Sequence, residues 1–106
     1  MKLPKEIEIK KNDLIQLCRK YKVKKLYVFG SITKGTFKPD TSDIDFLIEI
    51  ENISPVEKGE LLLKLWNELE KLFSRNIDLI SMKKIKNPYL KKSIQRSQIL
   101  IYDRAS

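Results

Sequence analysis

Apolar side chains recur at helical spacing in two stretches of the chain, and these stretches predict helices. In the first stretch, Ile7 to Tyr21, the apolar face consists of Leu14, Leu17, Cys18 and Tyr21. The second stretch, Ser54 to Phe73, begins with a serine that can cap a helix, followed by a proline and then by Glu57 three residues after the cap. Its apolar stripe consists of Leu62, Leu65, Trp66, Leu69, Leu72 and Phe73.

Four shorter stretches are rich in β-branched and aromatic residues and predict strands. These strands are Lys24 to Phe29, Asp43 to Ile50, Asn76 to Ser81 and Gln98 to Tyr102. Short helices are predicted at Ser31 to Lys34 and at Pro88 to Arg96, the second with Asn87 as a candidate cap before its proline, and a loop is predicted at Thr36 to Thr41 between two of the strands. The alternation of strands and helices favours one sheet backed by helices, which is an α/β or α+β fold.

Length and charge limit the kinds of protein that this sequence can form. With 106 residues, of which 42% are hydrophobic, the chain has room for one core, and we expect one domain over residues 1–106. The 22 Lys and Arg residues exceed the 14 Asp and Glu residues, so the formal net charge is +8. This excess favours an anionic partner such as a nucleotide, a nucleic acid or an acidic protein face, although an ordinary solvated surface explains it equally well.

The scarcity of two residue types excludes several kinds of site. The sequence has no histidine, which excludes histidine metal sites and the Ser-His-Asp triad. Its single cysteine, Cys18, excludes an internal disulfide and fits a reducing compartment. The N-terminal segment lacks the apolar core of a signal peptide, and no run approaches the roughly 20 apolar residues of a membrane span. We therefore expect a cytoplasmic protein that does not enter a membrane.

Three aspartates lie within the predicted strands. Asp43 and Asp45 are two residues apart on one strand, a spacing that places both carboxylates on the same face. Asp78 lies in another strand, between two apolar residues. Carboxylates buried in strands are costly unless they are neutralised, and Mg²⁺ suits this purpose because it prefers oxygen ligands and also binds phosphates. The alternative is structural: Asp43 can cap a turn, and Asp45 can pair with a basic side chain.

A glycine-containing segment, Gly30 to Gly35, directly follows a predicted strand. Gly30 permits a sharp turn and close approach of the backbone to a ligand. Ser31 supplies a hydroxyl and a backbone N–H that can hold a phosphate, and Lys34 adds a positive charge. The two glycines have the spacing of a P-loop, but Thr36-Phe37 occupies the place of its Lys-Ser/Thr pair, which excludes that motif. An ordinary strand-to-helix turn with a serine cap is the alternative.

Together these motifs resemble a known signature. Val28-Phe29-Gly30-Ser31, then Gly35, then Ser42-Asp43-Ile44-Asp45-Phe46-Leu47-Ile48 are similar to the signature of the DNA polymerase β-like nucleotidyltransferase superfamily. The small size and the C-terminal stretch Asn87 to Asp103 resemble its minimal branch, the MNT-type antitoxins. The resemblance covers about Lys24 to Asp103 and implies the polymerase β-like fold, with a single mixed β-sheet backed by helices.

The resemblance also implies roles for individual residues. The nucleotide triphosphate would be bound by Gly30, Ser31, Lys34 and Gly35. Many relatives have arginine where this chain has Lys34. Lysine keeps the positive charge but cannot form the bidentate hydrogen bonds that arginine makes with phosphate. The catalytic residues, which would also hold one or two Mg²⁺ ions, would be Asp43, Asp45 and Asp78. The third of these would help to activate the attacking hydroxyl.

The implied reaction is the transfer of AMP from ATP to a hydroxyl, in relatives a tyrosine, of a cognate HEPN-type RNase toxin. The chain would then be the antitoxin of a type VII toxin–antitoxin system, with ATP and the toxin as partners. A homo- or hetero-oligomer is compatible with the sequence. Nucleic acid is not expected as a direct ligand, because the sequence has no basic motif interleaved with aromatic residues. Two alternatives stay open: an antitoxin that neutralises the toxin by binding alone, and an RNA-directed nucleotidyltransferase.

Overall fold

The computed structural model describes residues 3–34 and 43–105, and its strands form one sheet in the order β3-β2-β1-β4. These strands are β1, Val23–Phe29; β2, Ile44–Ile50; β3, Ile77–Ser81; and β4, Ile99–Asp103. Strand β1 pairs antiparallel with β2 and β4, whereas β2 pairs parallel with β3. The prediction of a single mixed sheet is therefore confirmed.

Helices precede and connect these strands. They are α1, Lys5–Glu8; α2, Lys11–Lys20; α3, Ser31–Lys34; α4, Pro55–Phe73; and α5, Pro88–Ser97, with a single 3₁₀ turn at Met82–Lys84. The long helix α4 provides the crossover that two parallel neighbours such as β2 and β3 require. All four strands, α3, α4 and α5 agree with their predicted bounds within one residue.

The prediction of one continuous helix from Ile7 to Tyr21 is wrong. The chain forms two helices, α1 and α2, because Lys10 leaves the helical conformation at φ −109° and ψ 10°. Each segment still buries its own apolar residues: Ile7 in α1 and Leu14 and Cys18 in α2 have no exposed side-chain area. The apolar spacing therefore identified the buried face correctly but did not reveal the turn between the two segments.

One face of the sheet is covered by helices and forms the main core. Its fully buried strand residues include Leu26 and Val28 of β1 and Ile44, Phe46 and Ile48 of β2. Helix α4 contributes Leu65 and Leu69, and helices α1 and α2 contribute the residues named above. Burial of these apolar side chains is the principal stabilising contribution to the fold.

The opposite face of the sheet is covered only in part. Its buried cluster consists of Phe29, Leu47 and Ile94, and the last of these belongs to α5. Strand residues that pair directly share a face, and Asp45 pairs with both Phe29 and Asp78, so these three residues lie on this face. The less covered face therefore carries the carboxylates at one end and an apolar contact with α5 beside them.

Two predicted helix caps are confirmed. The Ser54 hydroxyl accepts a hydrogen bond from the Glu57 N–H at 3.3 Å, at the start of α4. The Asn87 side chain accepts hydrogen bonds from the N–H groups of Tyr89 and Leu90, at the start of α5. Each cap satisfies backbone donors that the first turn of a helix leaves without partners. Within residues 3–34 and 43–105, no helix has the length and apolar character needed to cross a membrane.

We expect the thiol of Cys18 to be unreactive in the folded protein. The side chain is fully buried, and burial raises its pKa to about 12, so the reactive thiolate is scarce at pH 8. Reaction with DTNB, followed by absorbance, should be at least about 100-fold slower in buffer than in denaturing urea. Rapid stoichiometric labelling without urea would show that α2 does not pack on the sheet as described.

Candidate functional site

The parallel pairing of β2 and β3 brings two of the predicted aspartates together. Asp45 is the second residue of β2, Asp78 is the second residue of β3, and the two are direct partners in the register. Their side chains therefore project from the same face of the sheet, and the two carboxyl groups lie close enough for Asp78 to raise the pKa of Asp45. The contact joins positions that are 33 residues apart in the sequence.

Asp43 lies next to this pair but outside the strand that was predicted to contain it. It immediately precedes β2, and its negative charge raises the pKa of Asp45. The expectation that the aspartates are buried is wrong for two of them, because Asp43 and Asp78 are exposed and only Asp45 is half-buried. Asp43 precedes β2, and Asp78 lies on the edge strand β3, on the face of the sheet that is covered only in part.

The environment of Asp45 favours its neutral form. Its pKa is raised from 3.8 to about 6, firstly because burial disfavours the charged carboxylate. The hydrogen bond with Asp78, the negative charge of Asp78 and the charge of Asp43 add to this effect. A hydrogen bond between two carboxyl groups requires a proton between them, since two carboxylates have only acceptors. Below a pH of about 6 the pair therefore shares a proton, and above it the two carboxylates repel each other unless a cation neutralises them.

The donor set of this pair suits a hard divalent cation. Carboxylate oxygens are the ligands that Mg²⁺ prefers, and a cation can replace the shared proton in neutralising the two aspartates. Among the described residues, no group of three or more His, Cys, Asp or Glu side chains is already arranged to hold a metal ion. The metal-binding roles of Asp43, Asp45 and Asp78 therefore remain predictions, supported by the contact of two of them.

Gly30 connects the predicted nucleotide-binding segment, Gly30 to Gly35, which we call the nucleotide loop, to the carboxylate pair. The residue before it, Phe29, pairs with Asp45, so the chain leaves β1 directly beside the Asp45 side chain. A Cβ atom at position 30 would collide with Oδ2 of Asp45, and the backbone there has a φ of +83°. The Gly30 carbonyl accepts hydrogen bonds from the N–H of Thr33 at 3.0 Å and from its hydroxyl at 2.8 Å. Both the conformation and the space at this position therefore require glycine.

The other predicted nucleotide-binding residues follow Gly30 along the chain. Ser31 begins α3 and is half-buried, and Lys34 ends α3 with an exposed side chain. Gly35 lies outside the described residues. The structure thus places Ser31 next to the contact between Gly30 and Asp45, whereas the roles of these residues toward a nucleotide stay predictions.

Two residues that support the site were not identified as such from the sequence. The hydroxyl of Ser97, at the end of α5, accepts a hydrogen bond from the N–H of Gly30 at 3.4 Å. The indole N–H of Trp66 donates to the carbonyl of Ile77, which precedes Asp78, at 2.7 Å. The sequence assigned Trp66 to the apolar stripe of α4, and the one available signal was that a partly buried indole N–H usually finds an acceptor. No sequence signal connected Ser97 with the loop.

We expect Asp45→Asn to stabilise the metal-free protein at pH 7.5 but not at pH 4. The folded state holds the Asp45 proton more tightly than the unfolded chain, so stability falls as the pH rises from about 4 to about 6. Asparagine removes that loss, with a gain of up to about 1 kcal/mol after allowance for solvent screening. Urea unfolding in EDTA at the two pH values measures the difference.

The matched control for this experiment is Asp13→Asn, which changes an exposed aspartate on α2 in the same way. It should give no gain in the free energy of unfolding at pH 7.5. Equal effects of Asp45→Asn at both pH values, or a loss at pH 7.5, would contradict the raised pKa of Asp45.

We expect Gly30→Ala to lower the free energy of unfolding by about 1–3 kcal/mol, because alanine is strained at positive φ and its Cβ displaces the Asp45 carboxylate. Gly59→Ala is the matched control, since Gly59 lies inside α4 with open space where a Cβ would stand. That substitution should instead stabilise the protein by roughly 0.5–1 kcal/mol. Similar results for both variants in urea unfolding would show that Gly30 has no special requirement.

Comparison with known proteins identifies the family. A family model described as "Nucleotidyltransferase domain" matches residues 14–101, which is most of the chain. The Methanocaldococcus jannaschii protein named "Putative protein adenylyltransferase MJ0126" is 42% identical over 103 residues, which cover 95% of this chain and 100% of that protein. The matched region includes the described parts of the loop and all three aspartates.

Solved structures share the fold. One is a toxin–antitoxin with AMP-PNP, with a TM-score of 0.64 and 22% identity over 88% of this chain and 73% of that one. Another is a tri-AMPylated Shewanella oneidensis HEPN toxin in complex with its MNT antitoxin, with a TM-score of 0.58 and 20% identity over 92% of this chain and 73% of that one. From the family match and the shared fold we conclude that the chain belongs to the nucleotidyltransferase domain family and is a nucleotidyltransferase.

Proposed function

We propose that this nucleotidyltransferase transfers AMP from ATP to a hydroxyl group of a HEPN-type toxin, in the cytoplasm, and so acts as an antitoxin. The observation that carries the proposal is the contact between Asp45 and Asp78 directly beside Gly30. This arrangement combines paired carboxylates with a glycine turn, as a site for a nucleotide and a divalent cation requires. Adenylyl transfer to a protein is also the activity given in the name of the relative MJ0126.

The proposed toxin partner is supported by the structures that share the fold. One of them contains an AMPylated HEPN toxin bound to its antitoxin, and another contains AMP-PNP, an analogue of ATP. Because those chains are only 20–22% identical to this one, they support the toxin and the nucleotide as proposals. We also propose that residues 1–106 act as one minimal domain, so that the acceptor hydroxyl comes from a second protein.

In the proposed reaction, the turn at Gly30 and Ser31 and the charge of Lys34 hold the triphosphate of ATP. Asp43 and Asp45 would hold Mg²⁺, which when bound neutralises negative charge at the phosphates. Positioning of the nucleotide and charge neutralisation would supply most of the rate enhancement. The chain needs no histidine for this chemistry, because carboxylates can accept the proton that is released.

The group transfer itself involves one bond formed and one broken. The acceptor hydroxyl oxygen attacks the α-phosphorus of ATP, the bond from that phosphorus to the β-phosphate oxygen breaks, and pyrophosphate leaves. Asp78, on the exposed side of the pair, would accept the hydroxyl proton and orient the attacking oxygen. Its exposure fits this role, since an acceptor from another protein must reach it.

We expect Asp45→Asn and Asp78→Asn each to reduce AMP transfer by about 100-fold or more, because each removes a carboxylate that binds the cation or accepts the proton. The assay incubates the chain with Mg²⁺ and ATP labelled at the α-phosphate, together with a HEPN-type toxin as the acceptor. A parallel reaction contains tRNA as the acceptor. Asp13→Asn is the control and should retain activity, because Asp13 is an exposed residue of α2, which packs on the face of the sheet opposite the carboxylates.

The species that becomes labelled distinguishes the competing functions. Label on the toxin supports the proposal, whereas label on tRNA would indicate an RNA-directed nucleotidyltransferase. If the variant with alanine at positions 43, 45 and 78 still neutralises a co-expressed toxin, neutralisation occurs by binding alone. Full transfer activity in Asp78→Asn would refute the role proposed for that residue.

A further inference from the structure

We propose that Ser97 is a positioning residue, which holds the nucleotide loop in place through the N–H group of Gly30. This inference deepens the proposed function, because it concerns the same nucleotide site. Ser97 is the last residue of α5 and lies 67 positions after Gly30 in the chain, and its hydroxyl is 3.4 Å from the Gly30 nitrogen. A contact over that separation links the C-terminal helix to the turn beside the carboxylates.

The hydrogen-bond chemistry fixes the direction of this contact. A serine hydroxyl has one proton to donate and two lone pairs that accept. The proton of Ser97 is directed to carbonyls of its own helix, at 3.3 Å from Ser93 and 3.4 Å from Ile94. A lone pair of the same oxygen accepts the N–H of Gly30. The hydroxyl is therefore bonded on both sides, and its orientation is restricted.

The position of Ser97 is restricted by the elements that precede and follow it in the chain. On one side, Ile94 is buried against Phe29 and Leu47 and anchors α5 to the less covered face of the sheet. On the other side, only Gln98 separates Ser97 from β4, which pairs with β1 through Ile99 and Val28. The helix end cannot shift without disturbing either an apolar contact or a strand pairing. The Ser97 hydroxyl therefore has a well-defined position from which it can restrain Gly30.

Gly30 is consequently restrained on three sides. Ser97 accepts its N–H, Thr33 donates to its carbonyl, and its α-carbon lies against the Asp45 carboxylate. Any movement of Gly30 therefore changes the space available to Asp45. Removal of the Ser97 hydroxyl releases one of the three restraints, and we expect the loop to sample positions that bind the triphosphate poorly. Binding of ATP should suffer more than the transfer step in complexes that do form.

The first test measures the Gly30 amide directly and does not depend on enzymatic activity. The chain has three glycines, and Phe29-Gly30 is its only Phe-Gly sequence, so labelling of phenylalanine carbonyls and glycine nitrogens identifies the Gly30 amide signal in NMR spectra. We expect its exchange with solvent to accelerate by about tenfold or more in Ser97→Ala. Ser93→Ala changes an exposed serine one turn earlier in α5 and should leave the exchange rate unchanged.

The second test measures nucleotide affinity and kinetics. Titration with Mg²⁺ and ATP, followed on the Gly30 signal, should give a Kd that is about 3–10-fold weaker in Ser97→Ala than in the wild type. In the transfer assay, the KM for ATP should rise by a similar factor while kcat changes by less than about twofold. Ser97→Thr keeps the hydroxyl and should restore both the exchange rate and the affinity.

The outcomes separate this proposal from the proposed function. Unchanged exchange of the Gly30 amide in Ser97→Ala, or faster exchange with unchanged affinity for Mg²⁺ and ATP, refutes the positioning role. A kcat loss with no change in affinity also refutes it. If the wild type shows no nucleotide binding, the proposed function and the nucleotide role of Ser97 both fail, and the exchange rate still reports whether Ser97 restrains Gly30. Binding of the nucleotide without transfer to the toxin would contradict the proposed function alone.

Discussion

The contact between the carboxyl groups of Asp45 and Asp78 is the constraint on which the site depends. The two carboxylates repel each other when both are charged, and the partial burial of Asp45 increases the cost of its charged form. The contact persists because the register of two parallel strands fixes both residues at the same level of the sheet. A proton or a cation that neutralises the pair therefore stabilises the fold, independently of any reaction.

The position of β3 determines whether this contact exists, and β3 is an edge strand. Edge strands have backbone groups without partners in the sheet and are held less firmly than central strands. Here the indole N–H of Trp66 donates to the carbonyl of Ile77, one residue before Asp78. Helix α4 thus serves as the crossover between β2 and β3 and also fixes the free edge of β3 close to the catalytic carboxylate that we propose.

Local patterns in the sequence predicted most of the fold but only part of the site. Strands, caps and the apolar stripe of α4 follow from spacing within a few residues. The place of Gly30 directly after a strand indicated a turn, but its contact with Asp45, which excludes a larger residue, arises from the pairing of β1 with β2. The pairing of Asp45 with Asp78 depends on the order of the strands in the sheet. The contact of Gly30 with Ser97 depends on the placement of α5. Local spacing in the sequence determines neither of these features. The turn at Lys10 and the exposure of Asp43 and Asp78 were missed for the same reason, since both depend on how the elements pack.

The two faces of β2 explain how a small protein can maintain a site with repelling charges. On the helix-covered face, Ile44, Phe46 and Ile48 are fully buried, and burial of each such side chain contributes about 1.5–3 kcal/mol. On the opposite face, the partial burial of the Asp45 carboxylate and the repulsion by its neighbours together cost roughly 1 kcal/mol at neutral pH, because the site is open enough for solvent to screen the charges. Within this one strand, the stabilisation from the buried apolar side chains therefore exceeds the cost of the charged Asp45 several times. It follows that the carboxylates can keep the exposure that a second protein needs to reach them, and the fold does not depend on a bound cation for its stability.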